Sequence, residues 1–225
     1  MATIRDLIKD NDDVRNLTED ARKHLDALMA LAETKGELFR ERITTSIMNA
    51  GVGSDKTIPI TQILDSSMEV RAYRKQSGDK LKESIKSSVS NFVAGGKENI
   101  INGVTGLLST AIDALFGSSE AGGVEFQKYY VLTEGLSIIR LDVWGWAQKI
   151  EATSLTSIAE QISVFTYYKS AVDVRHLDFN AFLSLYQNVM LHEDAAMSSK
   201  DIEKELDEVG EVFDLFKKHE VAGIS

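Results

Sequence analysis

One residue type constrains this chain more than any other: its 225 residues include a single proline, Pro59. Average usage of about 5% would supply roughly eleven. Proline removes a backbone donor and clashes within helices, so its near absence suits a chain that is helical almost throughout. Polyproline linkers are excluded by the same observation.

Apolar periodicity points the same way. Thr18 reads as an N-cap for a helix carrying Ala21, Leu25, Leu28 and Ala32 on one face. Gly36 reads as an interruption before Phe39, Ile43 and Ile47 continue the stripe. Residues 51–59, rich in Gly, Ser and Asp, form a loop, and Pro59 suits the start of a further helix bearing Ile63, Leu64, Met68 and Tyr73. A lysine-rich helix then presents Leu81, Ile85, Val89 and Phe92, ending at Gly95 and Gly96.

The most distinctive stretch is Asn99 to Ser119, in which Asp113 is the only charge. Ile100, Val104, Leu107, Leu108, Ile112, Leu115 and Phe116 share one wide apolar face at helical spacing. After a glycine-rich turn, Tyr129, Leu132, Leu136, Ile139, Val143, Trp146 and Ile150 follow at three- and four-residue steps, so 99–150 reads as an apolar helical hairpin. The stretch from Ile139 to Val143 also alternates, which gives a short β-hairpin near 136–146 as the alternative. Further stripes run through Ile158, Ile162, Phe165, Tyr168 and Val172, through Phe179, Phe182 and Tyr186 after an Asp178 cap, and through Ile202, Leu206, Val209, Phe213 and Phe216.

The expected fold is therefore mainly α: a bundle of about seven to nine helices around the hairpin. It would form one helical domain over 1–225, with a sub-boundary in 51–59 and an acidic helix 199–219 packed at the periphery.

Composition sets further bounds. With no cysteine, disulfides, thiolate catalysis and Cys-ligated zinc are excluded. A formal net charge of −10 argues against nucleic acid as a partner. The charge is segregated: residues 69–97 hold seven basic and three acidic side chains, whereas 193–220 hold ten acids and four lysines. The N-terminal residues lack the apolar core of a signal peptide, so the expectation is a cytoplasmic protein, with any release by a non-classical route.

No motif for chemistry stands out. His176 and His192 lie beside carboxylates but lack HExxH-type spacing, and no Gly-x-Ser-x-Gly elbow or phosphate loop occurs. No catalytic, cofactor or metal residues are assigned. Arg140 and Asp142, inside an apolar stretch, are candidates for a buried polar network.

Three functional readings follow. The first is a non-enzymatic, toxin- or virulence-factor-like protein that associates conditionally with anionic membranes. Its contacts would be the apolar face of 99–119 together with Trp144, Trp146, Lys80, Lys82 and Lys86. The alternative is a scaffold or assembly protein that binds a partner, or a second copy, through 199–219; a helical enzyme with an unmarked pocket is the third class.

Overall fold

The computed structural model describes residues 18–51, 57–73, 87–88, 92, 112–113, 115, 123–134, 137–150, 160–190 and 199–218. Its first element is a 30-residue helix, α1 (Glu19–Met48). Thr18 holds an extended backbone and its hydroxyl accepts from the Ala21 N–H at 3.3 Å, while Glu19 and Asp20 oppose the positive end of the helix dipole. The buried stripe runs from Ala21 and Leu25 through Gly36 to Phe39, Ile43 and Ile47. Gly36 does not interrupt this helix. It lies at the contact with the sheet, where a Cβ would stand 2.3 Å from Met68 Sδ and 2.9 Å from Val164 Cγ2.

The remaining core is not a helical bundle. Four strands, β1 (Ile60–Tyr73), β2 (Val124–Glu134), β3 (Ser137–Lys149) and β4 (Gln161–Val172), form one antiparallel sheet in the order β1-β4-β3-β2. This overturns the all-α expectation of seven to nine helices in several places. Ile63, Leu64, Met68 and Tyr73 lie on a strand. The expected second arm of the helical hairpin is the β2–β3 hairpin, which runs from 124 to 149 and so extends well beyond 136–146. The stripe from Ile162 to Val172 is β4.

Two physical reasons explain the difference. Proline is unwelcome in the interior of a strand as well as a helix, because it removes a ladder donor, so a proline-poor chain fits either. The second reason is burial on both faces. One face of the sheet carries Trp146, Ile162 and Val164 against α1. The other carries Ile139, Leu141, Val143, Phe165 and Tyr167, packed with Phe92, Ile112 and Leu115. A strand covered on both sides has no polar face, so its sequence loses the two-residue period that identifies a half-buried strand.

Within this layer Gly145 lets two aromatic rings close over the strand. A Cβ there would meet Phe126 Cε1 at 2.5 Å and Phe165 Cε1 at 2.9 Å, and the two ring centroids are 6.3 Å apart.

After β4 a 3-10 turn (Val174–His176) leads to α2 (Phe179–Met190) and α3 (Ser199–Lys218). Asp178 starts α2, accepting from the Ala181 N–H at 2.7 Å. Phe182 and Val209 pack against Ile138, Val172 and Leu177 at one end of the sheet. Lys217 ties α3 down: its ammonium donates to the carbonyls of Arg175 and Leu177 and lies 4.9 Å from the Phe213 ring centroid.

Asp173 joins β4 to this C-terminal unit. Its carboxylate accepts from the Arg175 backbone N–H and Nε at 3.1 Å and faces His176 Nδ1 at 2.8 Å. Burial pushes its pKa up, but the hydrogen bonds from Arg175 and His176 outweigh burial and hold it below the usual carboxylate range. A depressed folded pKa contributes stability above the unfolded value of about 3.9, and that stability is lost as pH falls through the folded pKa. Asp173→Asn is expected to cost about 1–2 kcal/mol at pH 7. Urea midpoints at pH 7 and pH 3 would check this, since the deficit should shrink in acid.

Candidate functional site

Two features of the sheet hold side chains or backbone groups in unusual settings. The first is a buried polar seam beneath the C-terminal half of α1. Alternation along β3 sends Arg140 and Asp142 to the α1 face, directly opposite Ser170 and Tyr168 of β4. Arg140 is 4% exposed and Asp142 1%. Their side chains pair at 2.6 Å. The guanidinium also donates to Ser46 Oγ of α1 at 3.4 Å and lies 4.5 Å from the ring centroid of Tyr129, a half-exposed residue of β2.

Hydrogen bonding in the seam is incomplete. Arg140 Nε, Asp142 Oδ2, Thr166 Oγ1 and Ser170 Oγ have no partner among the described residues. Burial pushes the Asp142 carboxyl pKa up, and the hydrogen bond and charge of Arg140 pull it partly back. The seam thus fixes how α1 sits on the sheet.

The second feature is the edge of the sheet. β1 is the terminal strand on its side, and among the described residues no strand pairs with its outer edge. Unpaired edges are usually blunted by bulges, prolines or lysines. The first third of β1 has such protection: Pro59 precedes it, and its register with β4 shifts between Ile60 and Gln62 and again between Ile63 and Asp65. From Asp65 to Tyr73 the register is regular, with no proline, lysine or bulge. The opposite edge, β2, carries Lys128 in its middle and has α2 against it.

Among the described residues one flank of α1 forms a groove over β4. Thr34, Glu37, Leu38, Arg40, Glu41, Thr44 and Thr45 line a 740 Å³ groove with Tyr168 of β4. Thr44 Oγ1 donates to the Tyr168 hydroxyl at 3.4 Å, and Arg40 approaches Glu37 at 3.5 Å. The Tyr168 hydroxyl, followed by the charge of Glu37, raises the Arg40 pKa further above its ordinary value.

No family model matches this chain, and no curated protein or solved structure matches it either.

The residues singled out from the sequence are scattered through this framework. Ile112 and Leu115 are buried against the second face of the sheet. Trp146 is buried and Trp144 half-buried beneath α1, where the Phe39 and Trp144 rings meet edge-on at 5.5 Å. Ile100, Val104, Leu107, Leu108, Phe116, Lys80, Lys82 and Lys86 lie outside the described residues. No helix among the described residues is long and apolar enough to cross a membrane, and no group of three His, Asp or Glu side chains there could hold a metal ion.

The edge of β1 was missed in the sequence, although a cue was present. From Met68 to Ala72 apolar and charged residues alternate strictly, the period of a strand with one polar face.

Proposed function

We propose that this chain is a non-enzymatic assembly protein that takes up an extended polypeptide segment along the outer edge of β1. The observation that carries this reading is the edge from Asp65 to Tyr73, which is regular in register, lacks proline and lysine, and pairs outward with no strand among the described residues. An added strand would gain affinity from main-chain hydrogen bonds, and its alternate side chains would lie on the α1 face of the sheet. The groove is shallow and lined mostly by exposed side chains of one helix, a poor setting for chemistry that needs water excluded.

The membrane reading loses its second helical arm, because 124–149 is a strand pair. What remains of it would rest on 99–119.

Peptides selected from a random displayed library against the full-length protein would test the proposal. Bound peptides are expected to protect amides of residues 66–73 from hydrogen exchange. N-methylation of alternate peptide amides is expected to weaken binding about tenfold or more, since each removes a ladder donor. Selected peptides that protect only other regions, or that tolerate N-methylation throughout, would overturn it.

A further inference from the structure

We infer that the segment received by the edge of β1 is β1 of a second copy, paired antiparallel about a two-fold axis at Val70. This rests on the edge-addition reading above and names its occupant.

The regular part of the strand is complementary to itself in sequence. Antiparallel self-pairing about Val70 sets Val70 opposite Val70, Glu69 opposite Arg71, Met68 opposite Ala72, and Ser67 opposite Tyr73. A two-fold axis makes one patch meet itself, so the patch must be complementary to its own rotated image. This one is. On the α1 face the axis matches Met68, Val70 and Ala72 with one another. On the other face it sets Glu69 of each copy against Arg71 of the other, two opposite-charge pairs in all.

Directly opposed side chains of antiparallel strands are close neighbours, so opposite charges stabilise the pair and like charges destabilise it. In the single chain Arg71 turns to Glu69 on its own strand at 2.6 Å, and both side chains are partly exposed. Pairing across the axis gives each of them a partner on the neighbouring strand as well. Moving the axis by one residue, to Glu69 or Arg71, would place like charges directly opposite each other, so the charges select the register.

Both register shifts of β1, between Ile60 and Gln62 and between Ile63 and Asp65, lie outside the paired stretch 67–73. The product is a continuous eight-stranded sheet with α1 of each copy on the same side. The seam is short, and interfaces below about 1,200 Å² are usually weak and transient, so a micromolar dimer is expected.

The absence of cysteine makes the test clean. Directly opposed Cα atoms in antiparallel strands lie about 4.5–5.5 Å apart, within disulfide reach. The full-length Val70→Cys variant is therefore expected to form a disulfide-linked dimer under mild oxidation. Ser67→Cys, six residues away from its own copy along the seam, is expected to stay monomeric.

Sedimentation velocity supplies the second arm. Glu69→Arg and Arg71→Glu are each expected to weaken the dimer roughly tenfold or more, because both charged pairs become repulsive. Mixed in equal amounts, they are expected to recover wild-type affinity to within about threefold as a heterodimer. Circular dichroism would show that both remain folded. Should either not fold, Glu69→Gln and Arg71→Gln remove the attraction without the repulsion.

A wild-type chain that stays monomeric at several hundred micromolar would overturn the inference. So would equal cross-linking of both cysteine variants, or a mixture that fails to recover. If the inference fails while library peptides still protect residues 66–73, edge addition stands and the partner is a different protein. If those peptides fail too, both readings fall.

Discussion

Replacing Asp142 by alanine is expected to destabilise the fold by about 3–5 kcal/mol, because it leaves the Arg140 guanidinium buried without its counter-charge. Arg140 is 4% exposed, and its hydrogen-bonding partner beyond Asp142 is Ser46 Oγ at 3.4 Å. Chemical denaturation reads the loss as a lower midpoint at unchanged slope. The informative comparison is the double replacement Arg140→Met with Asp142→Leu. Removing both charges is expected to bring stability back to within about 1 kcal/mol of the parent, or above it, since neither desolvation cost remains. A double variant as poor as Asp142→Ala alone would show that the seam stabilises by more than charge compensation.

The pH dependence has a definite sign. Burial raises the folded pKa of Asp142, so its proton-linked contribution is present below the unfolded pKa and lost as pH rises through the folded value. Asp173, whose pKa is lowered, has the opposite slope.

Filling the space at Gly36 should be comparably harmful. Alanine would recover about 1 kcal/mol of helix propensity, and the flexible Met68 side chain could partly move aside. Valine cannot be accommodated in that way. Its branched side chain would have to displace both Met68 and Val164, which stand 2.3 and 2.9 Å from a Cβ at this position. Gly36→Val is expected to cost about 3 kcal/mol or more, the upper range for overpacking. The trimming variant Met68→Ala in the same background is expected to return part of that loss. A Gly36→Val protein as stable as the parent would mean that α1 does not sit against β1 and β4 as described.

These two sites also show why some of the fold could be read from the sequence and some could not. α1 was legible because one face meets water: between Ala21 and Ile47 the buried positions recur every three or four residues, and Thr18 provides a cap. Gly36 misled because helix propensity concerns an isolated helix, whereas here tertiary contact demands a residue without a side chain. β3 and β4 misled because both faces are covered, so Val164, Phe165, Tyr167 and Tyr168 are all buried and no alternation survives. In such a run the spacing of the largest residues imitates a helical stripe by chance. The bias toward β-branched and aromatic residues, as in Ile162 to Tyr168, was the better guide. For the candidate site the limit was different. Alternation at 68–72 is visible, but which strand ends at an edge follows from the order β1-β4-β3-β2, which no local pattern encodes.

That strand order has a consequence for how the molecule is made. β1 pairs with β4, the last of the described strands to be synthesised, while β2 and β3 can form their hairpin as soon as they emerge. At translation rates of about 5–20 residues per second, β1 waits on the order of ten seconds before its partner exists. The edge that β4 will cover lacks its partner during that time. Pairings this distant in sequence also close slowly in refolding from denaturant. The nascent chain is therefore most vulnerable to strand exchange with neighbouring chains at β1, the same segment whose outer edge pairs with no strand among the described residues of the folded protein.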